Sequence, residues 1–154
     1  TMTAPQTADT YIPQYRMVWE MQQWFGEKVE ASIQVEEPQG PDAAYVSDTI
    51  PASMTAGQPY EVQVTMQNTG TNAWSENDFI RLGAVGDGAG DAALFGTTRV
   101  AIAQGTTVDP GEQYTFTFTM TAPQTADTYI PQYRMVWEMQ QWFGEILAKY
   151  VDVT

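Results

Sequence analysis

Two stretches of the chain alternate apolar and polar residues with a period of two. Tyr60, Val62, Val64 and Met66 interleave with Glu61, Gln63, Thr65 and Gln67; Tyr114, Phe116, Phe118 and Met120 interleave with Thr115, Thr117 and Thr119. In a strand this spacing puts the apolar side chains on one face and the polar ones on the other. Shorter segments of strand character start at Phe79 and run from Thr98 to Ala103. A further run places Tyr129, Pro131, Tyr133, Met135 and Trp137 on one face and Gln132, Arg134 and Glu138 on the other, ahead of a last strand starting near Phe143. Pro131 cannot donate to a ladder, which assigns its strand to an edge or a bulge. Asn68-Thr69-Gly70 and Val108-Asp109-Pro110-Gly111 read as turns, and Gly86 to Asp91 as a flexible loop. Helical periodicity is absent. The pattern predicts an all-β protein, an antiparallel sandwich of about seven strands.

An internal duplication complicates this picture. Residues 1–27, TMTAPQTADTYIPQYRMVWEMQQWFGE, recur letter for letter at 119–145, an offset of 118 residues. That offset is the size of one domain, and self-similarity at a fixed period marks repeat arrays. The copies then diverge: KVEASIQVEE follows the first and ILAKYVDVT the second. The predicted organisation is a duplicated closing hairpin at 1–37, a Pro/Gly linker at 38–42 and a complete sandwich at 43–154. The leading hairpin is spare, since one sandwich has one place for it. It is either the end of a preceding repeat in a tandem array or a duplication engineered to drive domain swapping. The opening Thr1-Met2-Thr3 reads as the start of a fragment or mature piece.

Composition narrows the chemistry. Six Lys and Arg against nineteen Asp and Glu give a net charge of −13, which repels phosphate backbones and anionic lipid and excludes nucleic acid as a partner. The chain has no His and no Cys, so it has no imidazole or thiol nucleophile, Ser-His-Asp triad or disulfide. No apolar run approaches the ~20 residues of a membrane helix. No enzymatic activity and no membrane insertion are expected.

The ordered set QNTGTNAW (67–74), VDPGEQYTFTFTMTAP (108–123) and TYIPQYRMVWEMQQWFGE (128–145) resembles the four-tryptophan Ig-like domain, known from autophagy receptors and from bacterial and archaeal surface proteins. The resemblance covers most of 43–154. Trp74, Trp137 and Trp142 look like family tryptophans, while Val64 stands where the family often carries another. It implies an Ig-like sandwich used for protein interaction or as a spacer. The acidic surface and the 118-residue period look more like a prokaryotic surface protein, hence an extracellular or cell-surface location.

Asp78, Asp87 and Asp91 could offer oxygens to Ca²⁺, but Ala89 breaks the loop spacing of a calcium hand, and a solvated Gly-rich loop fits better. Apart from Ca²⁺, no cofactor is expected. Glu138 and Glu145 flank the hairpin without the cleft that paired carboxylates need, and read as surface charge. Arg134 reads as an ion-pair partner. Trp142 is placed in the hairpin connection, where partial exposure would let it contact a glycan. The expected interaction residues are Tyr11, Tyr15, Met17, Trp19, Trp24 and Ile33 of the spare hairpin, with Trp142, Ile146 and Tyr150. A two-strand piece is marginal in water and leaves edges unpaired, and the five-residue linker reaches only about 17 Å. The predicted partner is therefore a second copy of the chain, joined by strand exchange. The function expected is non-catalytic self-assembly within a tandem-repeat surface protein; a carbohydrate-binding or adhesive module is the alternative.

Overall fold

The computed structural model describes residues 9–35, 40–86 and 90–154. The chain divides into two compact units, 1–39 and 40–154.

The leading unit holds β1 (Asp9–Tyr11), β2 (Gln14–Trp19), β3 (Gln23–Glu30) and β4 (Ile33–Val35). β2 pairs antiparallel with β3, and β1 with β4. This is the spare hairpin, interrupted at Ile12-Pro13 because proline has no N–H for a ladder.

The second unit is almost wholly β. Its strands are β5 (Ala43–Asp48), β6 (Ser53–Met54), β7 (Pro59–Asn68), β8 (Trp74–Ser75), β9 (Ile80–Ala84), β10 (Arg99–Ala101), β11 (Thr107–Val108), β12 (Gln113–Thr121), β13 (Asp127–Tyr129), β14 (Gln132–Trp137), β15 (Gln141–Ala148) and β16 (Val151–Val153). One sheet runs β12-β7-β5 and the other β10-β9-β14-β15. A short sheet β13-β16-β6 continues the hairpin strands, and β8 pairs with β11.

The two alternating runs are the centre of the first sheet. β7 and β12 pair over nine positions, setting Val62 opposite Phe118 and Val64 opposite Phe116. All four are buried, as are Met66 and Met120. On the wet face Thr65 and Thr115 hydroxyls bond at 2.8 Å. Leu82, Tyr133, Met135, Phe143 and Leu147 of the second sheet complete the core with Trp74, whose ring centroid lies 6.1 Å from that of Phe143.

The turn motifs acquire physical reasons. Asn68 is fully buried: its amide donates to the Asn72 and Val108 carbonyls, and its Oδ1 accepts from Gly70 N. A Cβ at Gly70 would collide with the Asp42 backbone, so Asn-x-Gly is a close-packed corner. Residues 40–42 are held to it, with Gly40 N donating to Thr71 Oγ1 and Thr69 N to Asp42 O. Pro110 and Gly111 form the middle of a turn closed by Glu112 N to Asp109 O at 2.9 Å, with Gly111 at φ +90°.

Two expectations about local structure are corrected. Of the loop expected over 86–91, residues 87–89 lie outside the described residues, and Asp91 opens a helical turn, α1 (Asp91–Leu94), which with the following residue buries Ala92 and Phe95. Four residues are too few to show a 3.6 period. Pro131 is buried and marks a break between β13 and β14, so the predicted strand of 129–137 is two.

Candidate functional site

The duplicated sequence builds the same hairpin twice. In the second unit β14 and β15 pair Tyr133 with Leu147 and Met135 with Phe143, so two residues on β14 span four on β15. The surplus is a bulge at Gly144, where φ is +75° and the Arg134 Nε donates to the Gly144 carbonyl at 2.8 Å. In the leading unit Tyr15 pairs with Val29 and Met17 with Phe25; Gly26 has φ +78°, and Arg16 Nε donates to its carbonyl at 2.9 Å. The tips match as well. Met21 and Met139 have φ +63° and +61°, and Gln22 and Gln140 N–H groups close onto the Trp19 and Trp137 carbonyls. Arg134 thus clamps a bulge instead of serving as the expected ion-pair partner, because the bulge leaves a backbone carbonyl within its reach.

Burial separates the copies. Tyr133, Met135 and Phe143 are at most 5% exposed, whereas Tyr15, Met17 and Phe25 are 54%, 63% and 42% exposed. Trp19 and Trp24 are about two-thirds exposed, and Ile33, across from Tyr11 on β1, is also exposed. The apolar set therefore extends beyond the residues expected: Ile12, Val18, Met21, Phe25 and Val29 are exposed too. Phe25 and Val29 were legible, since they align with Phe143 and Leu147.

In the second unit the hairpin docks through its bulge. A Cβ at Gly144 would stand 2.5 Å from the Ala43 Cβ and 2.6 Å from its carbonyl, so β5 approaches as closely as backbone allows. Glu145 Oε2 accepts from Tyr45 N at 2.8 Å. One turn on, the Lys149 ammonium lies 3.0 Å from Asp48 Oδ1, and the Asp48 side chain is 2% exposed. Burial pulls the Asp48 carboxyl up, but the Tyr45 hydroxyl, Lys149 and the Ile50 N–H outweigh it and hold the group below the ordinary carboxylate value. Tyr133 is different: its buried hydroxyl finds no hydrogen-bond partner among the described residues, and burial raises its pKa strongly.

Trp142 lies within β15, not in the connection, because the strand already starts at Gln141. Its ring edge rests on Gly83, where a Cβ would be 2.8 Å away, and the Arg99 guanidinium sits 4.9 Å from the ring centroid. Val136, its cross-strand partner, is buried on this outer face. Arg99 also bonds Glu138, which lies 3.8 Å from Arg81, itself paired with Glu76. Glu138 therefore links two arginines. Arg99, Val136, Glu138 and Trp142 border a shallow concavity of about 180 Å³. Ile146 and Tyr150 are exposed on the second unit, as are Phe79 and Met139, both with left-handed backbone.

For metal chemistry, Asp78 Oδ2 accepts from Ser75 Oγ and Asp91 Oδ2 from Ile130 N. Asp87 lies outside the described residues. Among the described residues no three potential ligands converge.

No curated protein matches the chain. Among solved structures it is similar to the CARDB domain of a Pyrococcus furiosus protein determined in solution by NMR, at 14% identity and a TM-score of 0.53, covering 76% of this chain and 98% of that one. That likeness shows the fold, an Ig-like β-sandwich. The family described as the Ig-like domain from next to BRCA1 gene matches residues 49–153, so the match lies wholly within the second unit. The chain belongs to this family of Ig-like domains.

Proposed function

We propose that the protein is a non-catalytic structural module of a secreted or cell-surface tandem-repeat protein, and that it self-assembles by exchanging its leading hairpin with a second copy. One observation carries this reading: the leading unit has the strand register, bulge and turn of the closing hairpin, yet leaves exposed the side chains that the closing hairpin buries. Side chains of that size stabilise by about 1.5–3 kcal/mol each when covered, so the leading hairpin competes with the closing hairpin for the sheet that covers either. A head-to-tail contact of this kind gives rings or filaments. The acidic surface and the four-tryptophan resemblance support a surface location of the prokaryotic type.

For the carbohydrate alternative, the half-buried Trp142 would offer a ring that already carries the Arg99 guanidinium 4.9 Å from its centroid. Sedimentation velocity over a concentration series tests the proposal. Concentration-dependent oligomers are expected; a chain that stays monomeric at high concentration contradicts it.

A further inference from the structure

The second unit has one place for a closing hairpin, beside β9 and β5, whereas each chain carries two hairpins that fit it. Residues 1–27 and 119–145 are identical, so every docking contact within that stretch is common to both. The Gly144 approach to Ala43, the Glu145 bond to Tyr45, and the burial of Tyr133, Met135 and Phe143 are all of this kind. These contacts cancel in a competition, which leaves chain connection, favouring the chain's own hairpin, and the residues that follow to decide it.

At the 118-residue offset, three buried or half-buried positions differ. Leu147 faces Val29, a loss of one methylene; Val151 faces Ile33, a gain of one. Apolar volume is conserved. Lys149 faces Ala31, and here the difference does not cancel. With the chain's own hairpin in place, Asp48 has the Lys149 ammonium at 3.0 Å, the Tyr45 hydroxyl at 2.7 Å and the Ile50 N–H at 2.9 Å. With a leading hairpin in place it keeps the two neutral donors and loses the cation. A nearly buried carboxylate without its counter-charge is the less stable arrangement.

We propose that Lys149 and Asp48 form a selectivity pair through which the chain's own hairpin outcompetes the leading hairpin of a second copy for the place beside β9 and β5. The inference rests on the exchange reading above and names what regulates it. The own hairpin is the resident, and the foreign one is a competitor weakened at a single position. With Lys149 partly open to solvent, an ion pair of this type corresponds to up to about fivefold in an equilibrium.

Ala31→Lys gives the leading hairpin the missing cation. Ala31 is an exposed residue of the leading unit, so the substitution changes no buried position. In sedimentation equilibrium of the full chain, Ala31→Lys should lower the concentration at half-association by up to about fivefold, and Lys149→Ala should shift it in the same direction. Adding Asp48→Asn should abolish the effect of Ala31→Lys. If the chain associates but Ala31→Lys leaves the midpoint unchanged, or the shift survives Asp48→Asn, the selectivity pair is wrong and exchange stands. If neither the native chain nor Ala31→Lys associates at any concentration, the exchange reading itself fails.

Discussion

The hairpins at 14–30 and 132–148 are one sequence in two settings for most of their length, and the structure separates what each setting contributes. Register, the bulge at Gly26 or Gly144, the arginine clamp and the left-handed methionine at the tip are present in both. They are therefore properties of the local sequence. Burial is not: it exists only where β9 lies alongside and β5 meets the bulge. Local chemistry determines the shape of the hairpin, and tertiary packing determines what that shape stabilises. An isolated two-stranded ribbon is marginal for this reason.

Paired substitutions at equivalent positions break or sharpen the contrast. The largest effect is expected at the phenylalanines. Phe143→Ala empties a site against Trp74 and should cost about 3–5 kcal/mol by urea denaturation, while Phe25→Ala in the monomer should cost less than ~1 kcal/mol. Equal losses would mean that the leading hairpin is packed as the closing one is.

The bulge glycines come next. Both need a left-handed backbone, so alanine at either strains it by about 1–2 kcal/mol. At Gly144 the new Cβ also meets Ala43, which adds about 1–3 kcal/mol of overpacking. At Gly26 nothing lies within 4 Å. Thermal melts of Gly144→Ala should fall well below those of Gly26→Ala.

A smaller effect is expected at Tyr133, whose hydroxyl is buried without a partner among the described residues. Its folded pKa is raised, so the stability linked to its neutral form is complete below the ordinary value of 10.0 and is lost as pH climbs above it. Tyr133→Phe should stabilise by up to about 1 kcal/mol at neutral pH and remove that alkaline loss. Tyr15→Phe should change stability by less than ~0.5 kcal/mol.

The smallest effect is expected at Lys149, whose side chain is 34% exposed. Lys149→Ala should cost less than ~1 kcal/mol near neutrality. The pair's contribution is present above the ordinary carboxylate value of 3.8 and fades as pH falls through the lower folded value of Asp48. The variant and the native chain should therefore converge in acid.

Much of the sandwich is legible in the sequence because β7 and β12 each have one wet face, and a period of two reports that directly. After the repeat, Ile146, Ala148 and Tyr150 are exposed while Leu147, Val151 and Val153 are buried. β14 is harder to read. It lies between β9 and β15 and is covered on both faces, so Val136 is buried where alternation calls for a polar residue, and Trp137 is only half-buried. The cover is Trp142, which depends on Gly83 lacking a side chain; a single glycine in a strand pattern carries no pointer to a tryptophan about sixty residues away. The ion pair of Lys149 with Asp48 is illegible for the same reason: it joins residues 101 apart.

The most direct test of the account is amide hydrogen exchange followed by mass spectrometry on residues 28–35 and 146–153. Those segments differ in sequence, so their peptides can be told apart where the repeats themselves cannot. In dilute solution 146–153 should be protected and 28–35 should exchange rapidly. As concentration rises, 28–35 should gain protection and 146–153 should lose it to a matching extent, as expected when a leading hairpin replaces a closing hairpin in the one place for it. Protection of 28–35 that is independent of concentration, whether uniformly absent or already complete in dilute solution, would contradict the account.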